Sequence, residues 1–382
     1  MRGQVIEKSK GVWLVRIESK KNGKRKSVSK QIRGTKKDAE KFRTKWLREI
    51  DTGVFVEPSV LTVNSYLDQW LTAAVRPRVS ERTADGYAGL LKRYIREPLG
   101  EKKLENLQPL DIQKVYAEMQ SRGLSARIVR HTHAALHNAL KQAVKWNLLQ
   151  RNPAEIVELP KVPHKERRVL TDKEAVTFLH TTNEMPHGLI FEFALLSGMR
   201  PEEYLALQWA DLNFDKGTAQ VKRALVRHGG KWSFQETKTA RSRRIVSLPQ
   251  PLFTKLKAHK RRQSEQRLKA GLFWQNFDLV FSSENGTPHS VPNLTYRYFR
   301  PILEKAGLPQ IRLYDLRHSH ATLLLLADEN PKIVAERLGH STVVLTLDTY
   351  SHILPSMQQQ TTAKLTKMLY DDTDIKTNQK TA

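Results

Sequence analysis

The chain has 382 residues, no cysteine, and 65 Lys and Arg against 39 Asp and Glu, a formal net charge of +26 with an isoelectric point near 10.1. Without cysteine, disulfides, thiolate nucleophiles and cysteine-based zinc sites are excluded, and no apolar run approaches the roughly 18 residues of a membrane-spanning helix. The length allows two or three domains, and the charge points to a polyanionic partner, nucleic acid first.

Residues 1–55 read as a small basic module. In Val12-Trp13-Leu14-Val15-Arg16-Ile17, the side chains of Trp13, Val15 and Ile17 share one strand face. Asn22-Gly23 supplies a hairpin turn, and a second strand from Ser27 to Ile32 pairs back. A helix follows from Thr35, with Phe42, Trp46 and Ile50 at four-residue spacing. Up to Phe55 there are 17 Lys or Arg against 6 Asp or Glu, a net of +11. A charge run by itself is often only a solvated face; on a sheet-plus-helix module it suits a grip on DNA phosphates. The start, Met-Arg-Gly-Gln-Val-Ile-Glu-Lys, has no apolar core behind its basic residues and does not read as a signal peptide.

Val56-Glu57-Pro58 breaks the pattern as a linker. Residues 60–158 are helical in rhythm, with Tyr66, Trp70 and Leu71 in one amphipathic stretch and Tyr87, Leu91 and Tyr94 in another. The longest stretch, Ser125 to Leu149, turns Ile128, Thr132, Ala135, Leu136, Ala139, Leu140 and Val144 inward and Arg127, Arg130, Lys141 and Lys145 outward. The expectation is a four-helix module with basic outer faces. His133 and His137 are one turn apart, but no third ligand can be named, so they read as ordinary helix residues. Leu159 to Arg168 is a proline-bearing basic strap, and Thr171-Asp172-Lys173-Glu174 opens the last domain as a capping box. In the tail, Leu365, Met368 and Leu369 make one apolar stripe that suits docking on the chain's own core or on a neighbouring subunit.

The last domain carries the chemistry. Leu189 to Leu196 is an apolar helix, Gly198 stops it, and Arg200 stands before Pro201-Glu202-Glu203, where a helix restarts and Glu203 can orient the arginine. Strands Val221–Val226 and Arg244–Leu248 flank a loop that places Lys238 near a hairpin tip. In Tyr314-Asp315-Leu316-Arg317-His318, Asp315 reads as a helix cap and Arg317 falls in the first turn, where an anion is favoured. His318 and His320 read as packing or hydrogen-bonding groups. Asn330-Pro331 starts the next helix and Gly339 ends it, so His340 stands at a helix C-terminus, which favours its protonated form. Tyr350 follows ten residues later. Two arginines, a histidine and a late tyrosine suit attack of a phenolic oxygen on a phosphodiester: guanidinium forks orient the non-bridging oxygens, and the tyrosine becomes covalently attached. No Gly-rich phosphate loop or two-metal carboxylate cluster is present, in line with a reaction that needs no cofactor and no metal.

These segments resemble the tyrosine recombinase (phage integrase) family, by specific motifs over residues 165–355 and by general pattern over 60–158. The first 55 residues are similar to the arm-site-binding modules of phage and conjugative-transposon integrases. The resemblance implies a multidomain, mainly α fold with small β elements. Residues 1–55 would be an arm-type DNA-binding module of sheet plus helix, 60–158 a helical core-binding (SAM-like) domain, and 165–355 an α+β catalytic domain. The tail, 356–382, is a candidate subunit contact through its apolar stripe, with the chain's own core as the alternative. It also implies that Arg200 and Arg317 clamp the scissile phosphate, Lys238 protonates the departing 5′ oxygen, His340 hydrogen-bonds the phosphate, and Tyr350 is the nucleophile. The function implied is site-specific integration, and excision, of a phage or mobile element through a 3′-phosphotyrosine. Partners would be double-stranded DNA with core and arm sites and three further copies in a homotetramer. There is room for a host bending protein or excision factor, and no membrane. The setting would be the cytoplasm of a bacterial host, at the nucleoid. One position departs: the family has histidine three residues before its second arginine, where this chain has Tyr314. A phenol donates a hydrogen bond but is no imidazole-like acid or base near neutral pH, so Tyr314, like Glu203, is an accessory group. A relaxing enzyme of the type IB topoisomerase kind uses the same chemistry, and a DNA-binding regulator is the rival from another class. The amino-terminal module speaks against the first, and the ordered set Arg200, Lys238, Arg317, His340 and Tyr350 against the second.

Overall fold

The computed structural model describes residues 2–21, 24–51, 61–163, 168–236 and 243–350, with Thr362, Leu365, Thr366, Met368 and Leu369 beyond them. The backbone divides into two compact units, Met1–His164 and Lys165–Ala382.

The first unit begins with β1 (Arg2–Ser9), β2 (Val12–Lys21) and β3 (Lys24–Arg33), an antiparallel sheet with β2 at its centre, followed by α1 (Lys36–Asp51). Val15 and Ile17 of β2 close on Ala39 and Trp46 of α1, and Val5, paired with Val15, joins them. Thr35 and Asp38 cap α1 reciprocally, each backbone N–H donating to the other's side chain at 2.9 and 3.3 Å. Strand β1 was not foreseen. Its sequence, RGQVIEKS, has two adjacent apolar residues and no alternation, so it is a strand through its pairing with β2 and not through its own pattern. The Asn22-Gly23 turn and Val56-Glu57-Pro58 lie outside the described residues.

Helices α2 (Val63–Trp70, running into a π turn at Leu71–Val75), α3 (Glu81–Tyr94), α4 (Arg96–Leu99), α5 (Pro109–Ser121) and α6 (Ala126–Lys145) share one core. Thr62 and Ser125 cap α2 and α6 with their hydroxyls. Tyr66, fully buried, donates its hydroxyl proton to Ala139 O at 2.5 Å, and Trp70 stacks on Tyr87 with ring centres 5.9 Å apart. His133 Nδ1 stands 3.3 Å from the Tyr116 hydroxyl.

The second unit contains α7 (Asp172–Glu184), α8 (Gly188–Ser197), α9 (Pro201–Tyr204), β4 (Leu212–Asn213), β5 (Thr218–Val221), β6 (Arg223–His228), β7 (Lys231–Glu236) and β8 (Arg244–Ser247). After these come α10 (Gln250–Ala270), α11 (Val291–Leu294), α12 (Arg300–Lys305), α13 (Asp315–Leu326), α14 (Pro331–Leu338) and α15 (Val343–Tyr350). Helix α8 is apolar on every side and is buried accordingly, with Phe191 and Phe193 in the core. Its one charge, Glu192, is met by Lys255 Nζ at 2.8 Å. The strands differ from expectation. Strands β5 and β8 pair in a sheet ordered β4-β5-β8, whereas β6 and β7 form a separate hairpin. Its tip is Gly229-Gly230, both at positive φ. The run Val221–Val226 is therefore split between two sheets, because Lys222 and Arg223 turn to the buried Asp211 at 3.1 and 2.7 Å. Among the described residues, no helix is long and apolar enough to cross a membrane.

Candidate active site

Arg200 is built by a helix stop and a helix start. Gly198 ends α8 in the left-handed region at φ 63°, and Pro201 opens α9 with its fixed φ. Between them, the backbone N–H of Arg200 donates to Glu203 Oε2 at 2.9 Å and its Nη1 to Oε1 at 2.7 Å. Glu203 thus holds the residue at both ends, and Nη2 reaches Gly339 O at 3.5 Å. Burial disfavours the Arg200 charge, but the Glu203 carboxylate outweighs it, with the Tyr314 phenol adding to the effect. Its side chain remains 31% exposed.

Arg317 is the third residue of α13 and only 2% exposed. Its Nη1 donates to Gly198 O and its Nη2 to Leu338 O, both at 2.7 Å. The glycine that stops α8 therefore also supplies an acceptor to the second arginine. Burial, and then the Arg200 charge, lower the Arg317 pKa. Tyr314, not Asp315, occupies the cap position of α13, and its side chain makes no capping bond. Asp315 lies inside the first turn, where its carboxylate accepts from the Arg312 backbone N–H at 2.9 Å and from Arg312 Nη2 at 2.7 Å. The Tyr314 ring lies 5.4 Å from that of His318.

Asn330 caps α14, accepting from Lys332 N at 2.8 Å, and Gly339 ends it at φ 68°. His340 follows, and its Nδ1 lies 2.7 Å from Oγ1 of Thr346, a fully buried residue of α15. The expectation of a protonated imidazole at a helix C-terminus is not met: burial first, then Arg317 and Arg200, push the His340 pKa to about 4. A helix end contributes a partial charge of about half a unit, too little to offset neighbouring guanidinium groups. His340 is neutral near pH 7.

Two arginines escaped the sequence reading. Arg244 donates Nη1 and Nη2 to the Glu203 carboxylate at 3.2 and 2.8 Å and Nε to Arg337 O at 2.6 Å. Burial raises the Glu203 pKa, but Arg244 and Arg200 together hold it low. Arg337 donates Nε to His320 Nε2 at 2.9 Å and Nη2 to Ser247 O at 2.8 Å. Burial, then Arg337, push the His320 pKa to about 3, so this imidazole accepts. The signal for Arg244 was its phase: it alternates with buried Val246 and against Ile245, which is 65% exposed.

The structure thus gathers Arg200, Glu203, Tyr314, Arg317 and His340. Lys238 lies in residues 237–242, outside the described residues; Tyr350 ends α15, and its side chain is likewise outside them. Thr346, the partner of His340, stands one helical turn before Tyr350. Among the described residues, no group of three or more His, Cys, Asp or Glu gathers as a metal site.

The sequence profile of the phage integrase family matches residues 168–357, and that of the phage integrase N-terminal SAM-like domain matches residues 62–120. An integrase from Streptomyces ambofaciens is 30% identical over 333 residues, covering 85% of each chain. The chain belongs to the phage integrase family. As a member it is a tyrosine recombinase, and its relatives include a tyrosine recombinase XerC-like protein of Caldanaerobacter subterraneus subsp. tengcongensis. That protein is 28% identical, over 92% of this chain and 95% of its own. The fold of this integrase is shared with the Tn1549 transposon integrase, whose structure was solved in complex with a circular intermediate DNA. The TM-score is 0.65 at 20% identity, covering 78% of this chain and 99% of that one.

Proposed function

We propose that Arg200, Arg317 and His340 hold the scissile phosphate of DNA while Tyr350 attacks it. The observation that carries this reading is their convergence on one turn: Arg317 donates to Leu338 O, Arg200 reaches Gly339 O, and His340 comes next. Each guanidinium has five N–H donors in a rigid fork, more than these contacts use, so donors remain for the two non-bridging oxygens. A neutral His340 whose Nδ1 accepts from Thr346 carries its proton on Nε2 and presents it to the phosphate. Fixed donors of this kind contribute roughly 3–4 kcal/mol each to a charged transition state.

In the reaction, the phenolic oxygen of Tyr350 gives up its proton to solvent and forms a bond to phosphorus as the bond to the 5′ oxygen breaks. Lys238 gives that oxygen its proton, and a 3′-phosphotyrosine remains. A 5′ hydroxyl from a partner strand then attacks the phosphotyrosine, passing its proton to the Lys238 amine; the released tyrosine regains a proton from solvent and the strands are joined. The phosphodiester energy is kept in the covalent bond throughout. Tyr314 supports Arg200 as a hydrogen-bonding group. Exchange between two duplexes needs four such sites, hence a homotetramer on DNA, to which the 356–382 tail contributes a subunit contact. Residues 60–158 bind the core site, as does the catalytic domain 165–355. Residues 1–55, with net charge +11, bind separate arm sites. The reaction is integration of a phage or mobile element in a bacterial cell, with a host bending protein or an excision factor setting its direction.

Tyr350→Phe tests the assignment. The variant is expected to bind DNA at the element's own ends with unchanged affinity and to form no covalent complex on denaturing gels. Full recombination by this variant would sink the proposal.

A further inference from the structure

An arginine on the buried face of a short strand is costly unless every donor is used. Arg244 is such a residue: its side chain is 7% exposed, and that of Glu203 beneath it is 4% exposed. Its three nitrogens serve two segments far apart in the chain. Two hold Glu203, which in turn holds Arg200, and Nε holds Arg337 O, one residue before the carbonyl that receives Arg317. Its guanidinium also lies against Gly339, where an added Cβ would stand 2.9 Å from Nη1.

We propose that Arg244 is a positioning residue for strand cleavage, bracing Arg200 through Glu203 and the His340 turn through the Arg337 carbonyl. Its physical effect is a division of charge. With Arg244 present, the single negative charge of Glu203 is shared between two cations, so Arg200 keeps attraction for a phosphate. With Arg244 absent, Arg200 is the remaining ion-pair partner of the buried carboxylate among the described residues and is drawn inward. The end of α14 loses its tie to β8 through this side chain at the same time. A lysine cannot replace the brace, because one ammonium does not span a carboxylate and a carbonyl in a fixed fork.

The proposal rests on the clamp reading above, and its test keeps the two separable. A nicked duplex spanning the element–chromosome junction, recovered from genomic DNA flanking the gene, traps covalent complexes of wild type, Tyr350→Phe, Arg244→Gln, Arg244→Lys and Glu203→Gln/Arg244→Gln. At saturating DNA, Arg244→Gln is expected to slow covalent trapping about 100-fold, the scale of an ångström-sized misplacement, with DNA affinity unchanged. Arg244→Lys should lose about tenfold, and the double variant should be no slower than Arg244→Gln, since both changes break one brace. Three outcomes overturn the proposal: folded variants that trap at the wild-type rate, affinity that falls in step with trapping (a DNA contact), or both single Arg244 variants melting below assay temperature (a fold residue). Failure of wild type to trap retires the clamp reading itself; trapping by wild type with undiminished Arg244 variants retires this proposal alone.

Discussion

A methyl group at position 198 would stand 2.4 Å from Cδ2 of His320, on a backbone already at φ 63°. Gly198→Ala therefore collides with a buried ring and strains the chain at once. The collision also displaces the carbonyl that receives Arg317. The expected loss is on the order of 1–3 kcal/mol, read as a lowered melting temperature, together with loss of covalent trapping. Thr346→Val is subtler. It removes one hydrogen bond to His340, worth about 0.5–1.5 kcal/mol, and a several-fold slower cleavage at unchanged DNA affinity is expected; an unaltered rate would show that Thr346 does not set the imidazole. At this scale, Arg200, Arg317 and His340 were legible because each adjoins a local stop or start signal: Gly198 and Pro201, the Tyr314–Asp315 turn, Gly339. Arg244 and Arg337 were not, since their partners are 41 and 90 residues away along the chain in the bonds to Glu203 and Ser247. His340 was placed, but its charge depends on neighbours that sequence spacing does not reveal.

Helices with side-chain caps are the elements the sequence announces. The reciprocal bonds of Thr171 and Glu174, at 3.3 and 2.9 Å, were readable as a four-residue pattern. Thr171→Ala should cost about 1 kcal/mol, seen as a small fall in thermal midpoint with cleavage retained. Strands are less legible because pairing is non-local. β1 has no alternation of its own, and the division of Val221–Val226 between two sheets depends on Asp211 drawing in Lys222 and Arg223. Gly229-Gly230 joins β6 to β7, while the lysine-bearing segment 237–242 lies outside the described residues.

At the scale of the whole molecule, charge and buried imidazoles set the response to solvent. With a net charge of +26, affinity for an unrelated duplex should fall steeply with salt, roughly 10³–10⁵-fold between 50 and 200 mM if six to ten phosphates are neutralised. A flat salt profile in a filter-binding assay would contradict a phosphate-gripping surface. Burial first, then neighbouring positive or imidazole groups, lower His289 to about 4, His320 to about 3 and His340 to about 4, from 6.5. The unfolded chain therefore binds more protons below pH 6.5, and the stability these groups contribute is full above that pH and is lost as pH falls toward 4 and 3. Calorimetric melting temperatures should drop between pH 7 and pH 4.5; constant values would show that the three rings do not titrate with unfolding.

Arg317 donates to the main-chain oxygens of Gly198 and Leu338, and Arg200 reaches that of Gly339. No substitution deletes a peptide carbonyl. The receptacle for Arg317 is therefore encoded in the path of the chain, whereas Arg200 also needs the Glu203 carboxylate. Drift on the exposed face of α14 can remodel the surface of the enzyme while this cradle persists, and damage to it enters through the two glycines that bend the path and through the Arg244 brace.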